Sequence, residues 1–212
     1  MKIEVWSDFV CPFCYIGKRR LEKALAQFPH REHVEVVFRS FELDPAAPND
    51  PAEPVVTMLA RKYRVSLDEA KRMTDSVAQQ GAAEGLLLRF DTAVNANTFD
   101  AHRLLKFAAT QGLEQAMAEK LFFAHFTASE HIGRRETLLR LAVEVGLKRS
   151  EVEQLLQDGD AFAEAVRSDE RRARQLGIRG VPFFLINETY SLSGAQPTAV
   201  FAAALEQVWG RR

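Results

Sequence analysis

The residues Cys-Pro-Phe-Cys at positions 11–14 stand between a predicted strand and a predicted helix, and this placement constrains the fold most strongly. Residues 2–7 alternate polar and apolar side chains, which is typical of a short strand. Residues 21–28 repeat apolar side chains three and four positions apart, which indicates a helix with one buried face. Proline is favoured at the first helical position, where its missing N–H is not needed. The helix is therefore predicted to begin at Pro12.

This placement predicts the chemistry of the two cysteines. With Cys11 as the N-cap residue, the backbone N–H groups of Phe13 and Cys14 are expected to point toward the Cys11 sulfur. The positive end of the helix macrodipole lies there as well, and both effects favour the thiolate. Cys14 follows one turn later on the same side, within disulfide range. The pattern indicates thiol–disulfide exchange, with a reactive, partly exposed Cys11 and a shielded Cys14 that resolves the mixed disulfide.

Two other interpretations of the cysteine pair stay open. A zinc site would need two further ligands, and the sequence offers no second Cys-x-x-Cys, only His30 and His33 in a predicted loop. The other alternative is an inert buried pair. The helix start at Pro12 argues against it, because that start is expected to hold Cys11 near the surface.

Length, charge and composition exclude several classes of protein. Of the 212 residues, 47% are hydrophobic and 27% charged, which excludes a disordered chain and a small disulfide scaffold. The net charge of -1 does not favour nucleic-acid binding, and the longest apolar runs are too short to span a bilayer. The residues after Met1 lack a signal-peptide pattern, so a cytoplasmic protein is expected. In that compartment a close cysteine pair is more often catalytic than structural.

The rest of the pattern predicts an α/β protein with an inserted helical region. A second strand is predicted at 34–38 and a proline-rich loop at 44–54, with an almost wholly helical region after it. A hairpin of strands at 183–186 and 189–192 follows, and Pro197 begins a last helix. The chain is thus predicted to divide into two parts. Residues 1–43 and 178–212 form a discontinuous sheet domain, and residues 44–177 form a helical insertion.

Four segments, in the right order along essentially the whole chain, resemble one family. Residues 6–17, Trp-Ser-Asp-Phe-Val-Cys-Pro-Phe-Cys-Tyr-Ile-Gly, resemble the active-site opening of DsbA-like thioredoxin-fold oxidoreductases, specifically of their FrnE-type branch. Residues 180–184, Gly-Val-Pro-Phe-Phe, resemble the cis-proline loop of thioredoxin folds. Residues 97–104 and 193–197 resemble a helix of that branch's insertion and its C-terminal turn.

The resemblance implies a fold and a set of site residues. The fold would be thioredoxin-like, of the DsbA type, with a large α-helical insertion between its second and third strands. Cys11 would be the nucleophile and Cys14 the resolving thiol. Pro182 would be cis, leaving the Val181 backbone free to pair with an extended substrate. The expected substrate contacts are Pro12, Phe13, Val181 and His102.

The implied enzyme is a thiol–disulfide oxidoreductase that acts on protein or low-molecular-weight thiols and disulfides. It needs no metal and no organic cofactor, because the dithiol is itself the redox group, and glutathione is an admissible co-substrate. Nucleic-acid and membrane partners are not expected, and the chain is expected to be a monomer or a homodimer. Strongly oxidising periplasmic members carry Pro-His, whereas Phe13 cannot donate a hydrogen bond to the thiolate. This difference and the cytoplasmic setting favour reduction or exchange over dedicated oxidation.

Two other functions compete with the redox hypothesis. Glutathione-dependent isomerases and transferases of the hydroxychromene-carboxylate isomerase and kappa-class types are similar to this chain in architecture. They have serine at the position that corresponds to Cys11. The second cysteine here argues against that role. A peptide-binding or chaperone module would use the groove beside the cis-proline, and it would keep its activity in a Cys11→Ser variant.

Side chains outside the motif give weaker signals. His102, besides its expected contact with substrate, could simply pair with Asp100 or a nearby glutamate. Asp8 could accept a proton from Cys14 through water or merely end the first strand. A capping box is predicted at residues 150–153. Lys18 and Arg19 are expected to be mostly solvated, and residues 167–174 are expected to form a solvated, salt-bridged helix face.

Overall fold

The structure, a computed structural model, describes residues 1–48 and 53–210 and contains a four-stranded sheet. Its strands are β1 (Lys2–Ser7), β2 (Glu35–Ser40), β3 (Phe183–Ile186) and β4 (Tyr190–Ser193). They lie in the order β2-β1-β3-β4, with β1 and β2 parallel and the other two pairings antiparallel. The parallel pair needs a crossover connection, which α1 (Pro12–Gln27) supplies. The β3–β4 hairpin turns at Asn187 and Glu188, both of which have positive φ.

Helices occupy most of the described chain between β2 and β3, which confirms an α/β fold with a helical insertion. The inserted helices are α2 (Val55–Tyr63), α3 (Leu67–Ala83), α4 (Phe99–Thr110), α5 (Glu114–Phe126), α6 (Arg135–Glu144), α7 (Arg149–Gln157) and α8 (Ala163–Gln175). After the hairpin, α9 (Thr198–Trp209) packs against α1. None of these described helices combines the length and apolar character needed to cross a membrane.

Part of the predicted loop 44–54 lies outside the described residues, as do the last two residues of the predicted sheet domain. The domain boundaries at 43–44 and 177–178 therefore stay a prediction. One hydrophobic core runs from the sheet into the insertion. The Tyr15 ring of α1 stacks on Phe122 of α5, with ring centroids 5.0 Å apart and planes 7° apart. The insertion is thus packed directly against the helix that carries the cysteines.

The charged side chains of the helix face 167–174 are salt-bridged and at least partly exposed, as expected, apart from Asp169, whose buried ionic cluster joins α8 to the sheet. Asp169 is only 5% exposed, and its carboxylate binds Arg39, Lys106 and the backbone N–H of Ser40. Its backbone oxygen accepts a hydrogen bond of 3.1 Å from Trp6 Nε1. Buried charges are stable only when paired and hydrogen-bonded in this way. The cluster fixes the helix that leads into residues 176–182, the segment opposite Cys11.

Candidate active site

The start of α1 positions both cysteines. Cys11 is the N-cap residue with extended backbone (φ -95°, ψ 109°), and Pro12 occupies the first turn, as the sequence predicts. The Cys14 N–H donates to Cys11 O at 3.0 Å, which closes the first turn. The Cys11 side chain accepts no capping hydrogen bond, so the expected contact with the N–H groups of Phe13 and Cys14 is wrong. The Cys11 thiol instead donates to Val181 O, at an Sγ–O distance of 3.6 Å.

Both cysteines are free thiols, and both are buried. Cys11 is 4% exposed, which corrects the expectation of a partly exposed sulfur. The reason is tertiary: residues around 181 and the insertion cover the helix start, while Phe13 beside it stays 39% exposed. Cys11 still borders an open cavity, whereas the cavity lining does not include Cys14. The pair therefore has one sulfur at a cavity wall and one behind it.

Burial raises the pKa of the Cys14 thiol well above its ordinary value, and the neighbouring Cys11 raises it further. The Ser7 hydroxyl and the Asp8 backbone lie beside the Cys14 sulfur and act in the opposite direction, but more weakly. A thiol in apolar surroundings resists ionisation because the charged form loses its hydration. Cys14 is thus held as a neutral thiol at neutral pH, and it needs an acceptor for its proton before it can act as a nucleophile.

The Val181–Pro182 peptide bond is cis and lies beside the cysteines. The Val181 carbonyl accepts a hydrogen bond from the Cys11 thiol. This carbonyl is therefore not free to pair with a substrate in the way that the sequence predicted for the Val181 backbone. Gly17 of α1 faces the same loop: a Cβ there would lie 3.1 Å from Pro182 Cγ and 3.2 Å from Phe184 Cζ. The glycine lets α1 approach the proline loop closely, a role that the sequence reasoning missed. A glycine inside a helical pattern could have indicated this close approach from the sequence.

An apolar cavity of about 310 Å³ opens beside Cys11 and is called the groove below. The predicted contacts Pro12, Phe13 and Val181 line its end near the cysteine. The opposite wall comes from the insertion and includes Leu43, Val55, Met58, Leu59, Tyr63, Met73, Val77 and Phe90. The wall residues were missed because their helices lie far from the motif in sequence. Lys62 and Asp44 add charge to the lining.

His102 does not fit the predicted substrate contact. It is 1% exposed and does not line the groove, because its ring packs on Phe9 with centroids 4.9 Å apart. Pairing with Asp100 is also wrong, since Asp100 binds Arg103. The His102 Nε2 atom lies 3.4 Å from Asp8 Oδ1 instead.

A histidine that the sequence reasoning missed, His125 of α5, lines the groove from behind and is 1% exposed. Burial lowers its pKa to about 4, against a smaller opposing effect of the Asp8 carboxylate. His125 is therefore neutral at neutral pH.

Lys18 and Arg19 are not solvated as expected. Lys18 is 5% exposed, and both cations bind the Glu119 carboxylate of α5, at 2.5 and 2.6 Å. Tyr15 OH donates to the same carboxylate at 2.7 Å. These contacts hold α5 against α1, and none of the four residues lines the groove.

The described residues contain no group of three or more His, Cys, Asp or Glu side chains placed to hold a metal ion. The two histidines considered for a zinc site, His30 and His33, stack on Trp209 at centroid distances of 4.3 and 5.9 Å. In the described part of the chain, His30 and His33 therefore pack against an aromatic ring.

The profile of the DSBA-like thioredoxin domain family matches residues 2–206. The chain belongs to this family. The match spans the sheet and the insertion together, and it confirms the DsbA-type thioredoxin-like fold expected from the sequence.

Two relatives of this DSBA-like chain have appreciable identity. A probable DsbA oxidoreductase from Streptomyces coelicolor is 48% identical with a TM-score of 0.96, over 100% of this chain and 91% of that one. The uncharacterized protein YwbO of Bacillus subtilis (strain 168) is 29% identical over 207 residues, which are 96% of this chain and 94% of YwbO.

More distant structures share the fold alone. The cytosolic disulfide reductase DsbM from Pseudomonas aeruginosa, also solved with GSH, has a TM-score of 0.66 and 20% identity over 100% of both chains. A 2-hydroxychromene-2-carboxylate isomerase has a TM-score of 0.70 and 17% identity over 100% of this chain and 95% of that one.

Proposed function

We propose that this DSBA-like protein is a thiol–disulfide oxidoreductase in which Cys11 is the nucleophile and Cys14 the resolving thiol. The observation that carries the proposal is the arrangement of the pair: Cys11 borders the groove at the N-terminus of α1, and Cys14 lies one turn behind it. The Cys11 sulfur is the one that a substrate entering the groove meets first. The Cys14 thiol is neutral, and it reacts only in the second step.

The reaction balances in two exchanges. The Cys11 thiolate attacks one sulfur of a substrate disulfide R–S–S–R′, which forms a Cys11–S–S–R bond and releases R′–S⁻, protonated to R′–SH. Cys14 then loses its proton and attacks Cys11 Sγ, which releases R–SH and leaves a Cys11–Cys14 disulfide. The substrate gains two electrons and two protons, and the enzyme loses them. The reverse sequence oxidises a dithiol.

We further propose that the protein is of the FrnE type and works in the reductive or exchange direction in a cytoplasmic setting, with glutathione as one low-molecular-weight partner. Support comes from the Pro-Phe dipeptide, since Phe13 brings no polar group to the Cys11 sulfur. The residues that line the groove are mostly apolar, which suits substrates with apolar groups next to the disulfide.

A redox titration tests the function directly. The wild-type protein is equilibrated in glutathione buffers of graded potential, the free thiols are alkylated, and the modified fraction is counted by mass spectrometry. We expect one two-electron transition, and we expect turnover of insulin disulfides that Cys11→Ser abolishes. The matched variant Cys14→Ser should still attack substrate and accumulate the mixed disulfide. A pair that never cycles, or wild-type turnover in Cys11→Ser, contradicts the proposal.

The same variants separate the two alternatives. A glutathione-dependent isomerase of the hydroxychromene-carboxylate type needs no dithiol, so Cys14→Ser would keep its full activity. A peptide-binding chaperone needs neither sulfur, so Cys11→Ser would still suppress aggregation of an unfolded client. The redox function predicts loss of turnover in both variants.

A further inference from the structure

Gly17 lies three positions after Cys14 in α1, on the same side of the helix, and its backbone faces the proline loop, residues 180–182. A Cβ at this position would lie 3.1 Å from Pro182 Cγ and 3.2 Å from Phe184 Cζ. Both distances are shorter than the optimum of about 3.5 to 4.0 Å between carbon atoms. Glycine destabilises a helix interior relative to alanine, so this position gives up helix stability for a close approach of helix and loop.

Of the two neighbours of Gly17, the proline loop is the one that can yield. The Phe184 ring is fully buried and packs edge-on against Phe201, with ring centroids 4.7 Å apart. The Phe184 backbone pairs with β1 in the sheet. Pro182 precedes β3, and its carbonyl accepts the Gly194 N–H at 2.8 Å. A methyl group added to this side of α1 would therefore displace the loop together with the turn that contains Gly194.

Arg20 holds the same assembly from the next turn of α1. Its Nη1 atom donates to the Ala195 carbonyl at 2.6 Å, and its Nε atom donates to Glu84 Oε1 at 2.7 Å. Ala195 directly follows Gly194, whose N–H binds the proline loop. Lys23 binds the other oxygen of the Glu84 carboxylate at 2.6 Å. Arg20 thus ties the turn, and with it the loop, to the helix that carries the cysteines.

We propose that Gly17 and Arg20 are positioning residues, which hold the Val181 carbonyl against the Cys11 thiol and thereby favour the dithiol form of the cysteine pair. The Cys11 thiol donates to Val181 O at an Sγ–O distance of 3.6 Å. A disulfide sulfur has no hydrogen to donate, so only the reduced protein makes this contact. The proposal rests on the redox function above and deepens it, because it names residues that set the equilibrium of the reaction.

The equilibrium is an exchange with glutathione disulfide as the oxidant. The dithiol and one glutathione disulfide give the Cys11–Cys14 disulfide and two molecules of glutathione. Each cysteine loses one electron and one proton, and the glutathione disulfide gains both electrons and both protons. A typical net hydrogen bond changes an equilibrium by about two- to tenfold, and a thiol is a weak donor. Loss of the contact should therefore favour the enzyme disulfide by about threefold.

A redox equilibration tests the proposal. Each protein is equilibrated in glutathione buffers, the free thiols are alkylated, and the oxidised fraction is measured by mass spectrometry. In Gly17→Ala we expect the equilibrium constant to rise about threefold toward the disulfide, because the added methyl group displaces the proline loop. Arg20→Gln should shift the constant in the same direction, because it releases the Ala195 carbonyl from α1.

Two matched variants separate positioning from loss of stability. Gly81→Ala also adds a Cβ to a helix glycine in close contact, 2.6 Å from Leu88 Cδ1, but its neighbours do not belong to the proline loop. Lys23→Gln removes the other cation from Glu84 and leaves the contact of Arg20 with Ala195 in place. Both variants should keep the wild-type constant, whatever urea denaturation shows for their stability.

The outcomes distinguish this proposal from the redox function itself. If Gly17→Ala does not fold, Arg20→Gln carries the test. A folded Gly17→Ala, or in its place a folded Arg20→Gln, with the wild-type constant overturns the proposal. An equal shift in Gly81→Ala or Lys23→Gln also overturns it, since any local damage would then have the same effect. A wild-type cysteine pair that never equilibrates with glutathione overturns the proposed function instead.

Discussion

At the scale of single residues, burial decides the protonation of the site. Cys14 and His125 are both held neutral by loss of hydration, one as a thiol and the other as an imidazole. Cys11 occupies the cavity wall, and its thiol is aimed at the Val181 carbonyl. Two sulfurs three positions apart thus have different surroundings, which the division of labour between nucleophile and resolving thiol requires.

The low pKa of His125 predicts a loss of stability in acid. The unfolded chain binds a proton at this histidine below about pH 6.5, whereas the folded protein excludes it until about pH 4. Its contribution is therefore complete above pH 6.5 and is lost as the pH falls toward 4, by roughly 3 kcal/mol at most. Denaturant unfolding between pH 7 and 4 measures this slope.

The control for that measurement is the exposed His33. In His125→Gln the stability should depend less steeply on pH between 6.5 and 4, while His33→Gln should retain the wild-type slope. Equal slopes in all three proteins would show that His125 does not titrate as the burial requires.

At the scale of elements, polar side chains fix the edges of the sheet and the ends of the insertion. The outer edge of β2 is covered by α4 and α5, whose Lys106 and Gln115 donate to the carbonyls of Phe38 and Val36 at 2.9 Å each. A covered edge cannot pair with another chain. On the same side, Asp169 ties α8 to β2 and so orients the segment that ends at the cis-proline.

Removing the Asp169 charge should loosen this connection. In Asp169→Asn the largely buried Lys106 loses its carboxylate and Arg39 keeps only that of Glu4, so we expect a loss of about 2 to 3 kcal/mol in the free energy of unfolding. Urea denaturation measures it. The exposed Asp75 of α3 is the matched control, and Asp75→Asn should stay within about 0.5 kcal/mol of the wild type. Equal losses in the two variants would contradict the structural role of Asp169.

At the scale of the whole molecule, the sheet and the insertion share one core, and the candidate site lies where they meet. The contacts of Tyr15, Lys18 and Arg19 with Glu119 cross between them, as do those of Asp8 with His102. The groove takes one wall from each part. The site exists only when the insertion is docked.

This shared core predicts that the chain unfolds as one unit. The two tryptophans, Trp6 and Trp209, both belong to the sheet part, whereas far-ultraviolet circular dichroism reports chiefly the helices. Fluorescence and circular dichroism should therefore give coincident denaturation curves. Glu119→Gln should shift both curves by the same amount. Separate midpoints for the two probes would show that sheet and insertion fold independently.

Local sequence patterns determined the elements but not always their ends. The predicted capping box at 150–153 is wrong, because α7 begins earlier, with Lys148 as its N-cap. A capping box does exist at Ser66 and Glu69, where both reciprocal hydrogen bonds form. The two segments have the same Ser-x-x-Glu pattern, so the pattern alone cannot choose between them. The start of a helix also depends on how the chain arrives from the preceding turn.

The sequence by itself determined that a strand precedes the cysteine pair and that a helix begins at Pro12, because these features follow from local periodicity and backbone preferences. It also determined the family, through short motifs in the right order. Only the tertiary structure decided that Cys11 is buried, that Lys18 is paired and that His102 faces Asp8. These facts depend on side chains far apart in the chain, whose burial and pairing are set by how the helical insertion packs on the sheet.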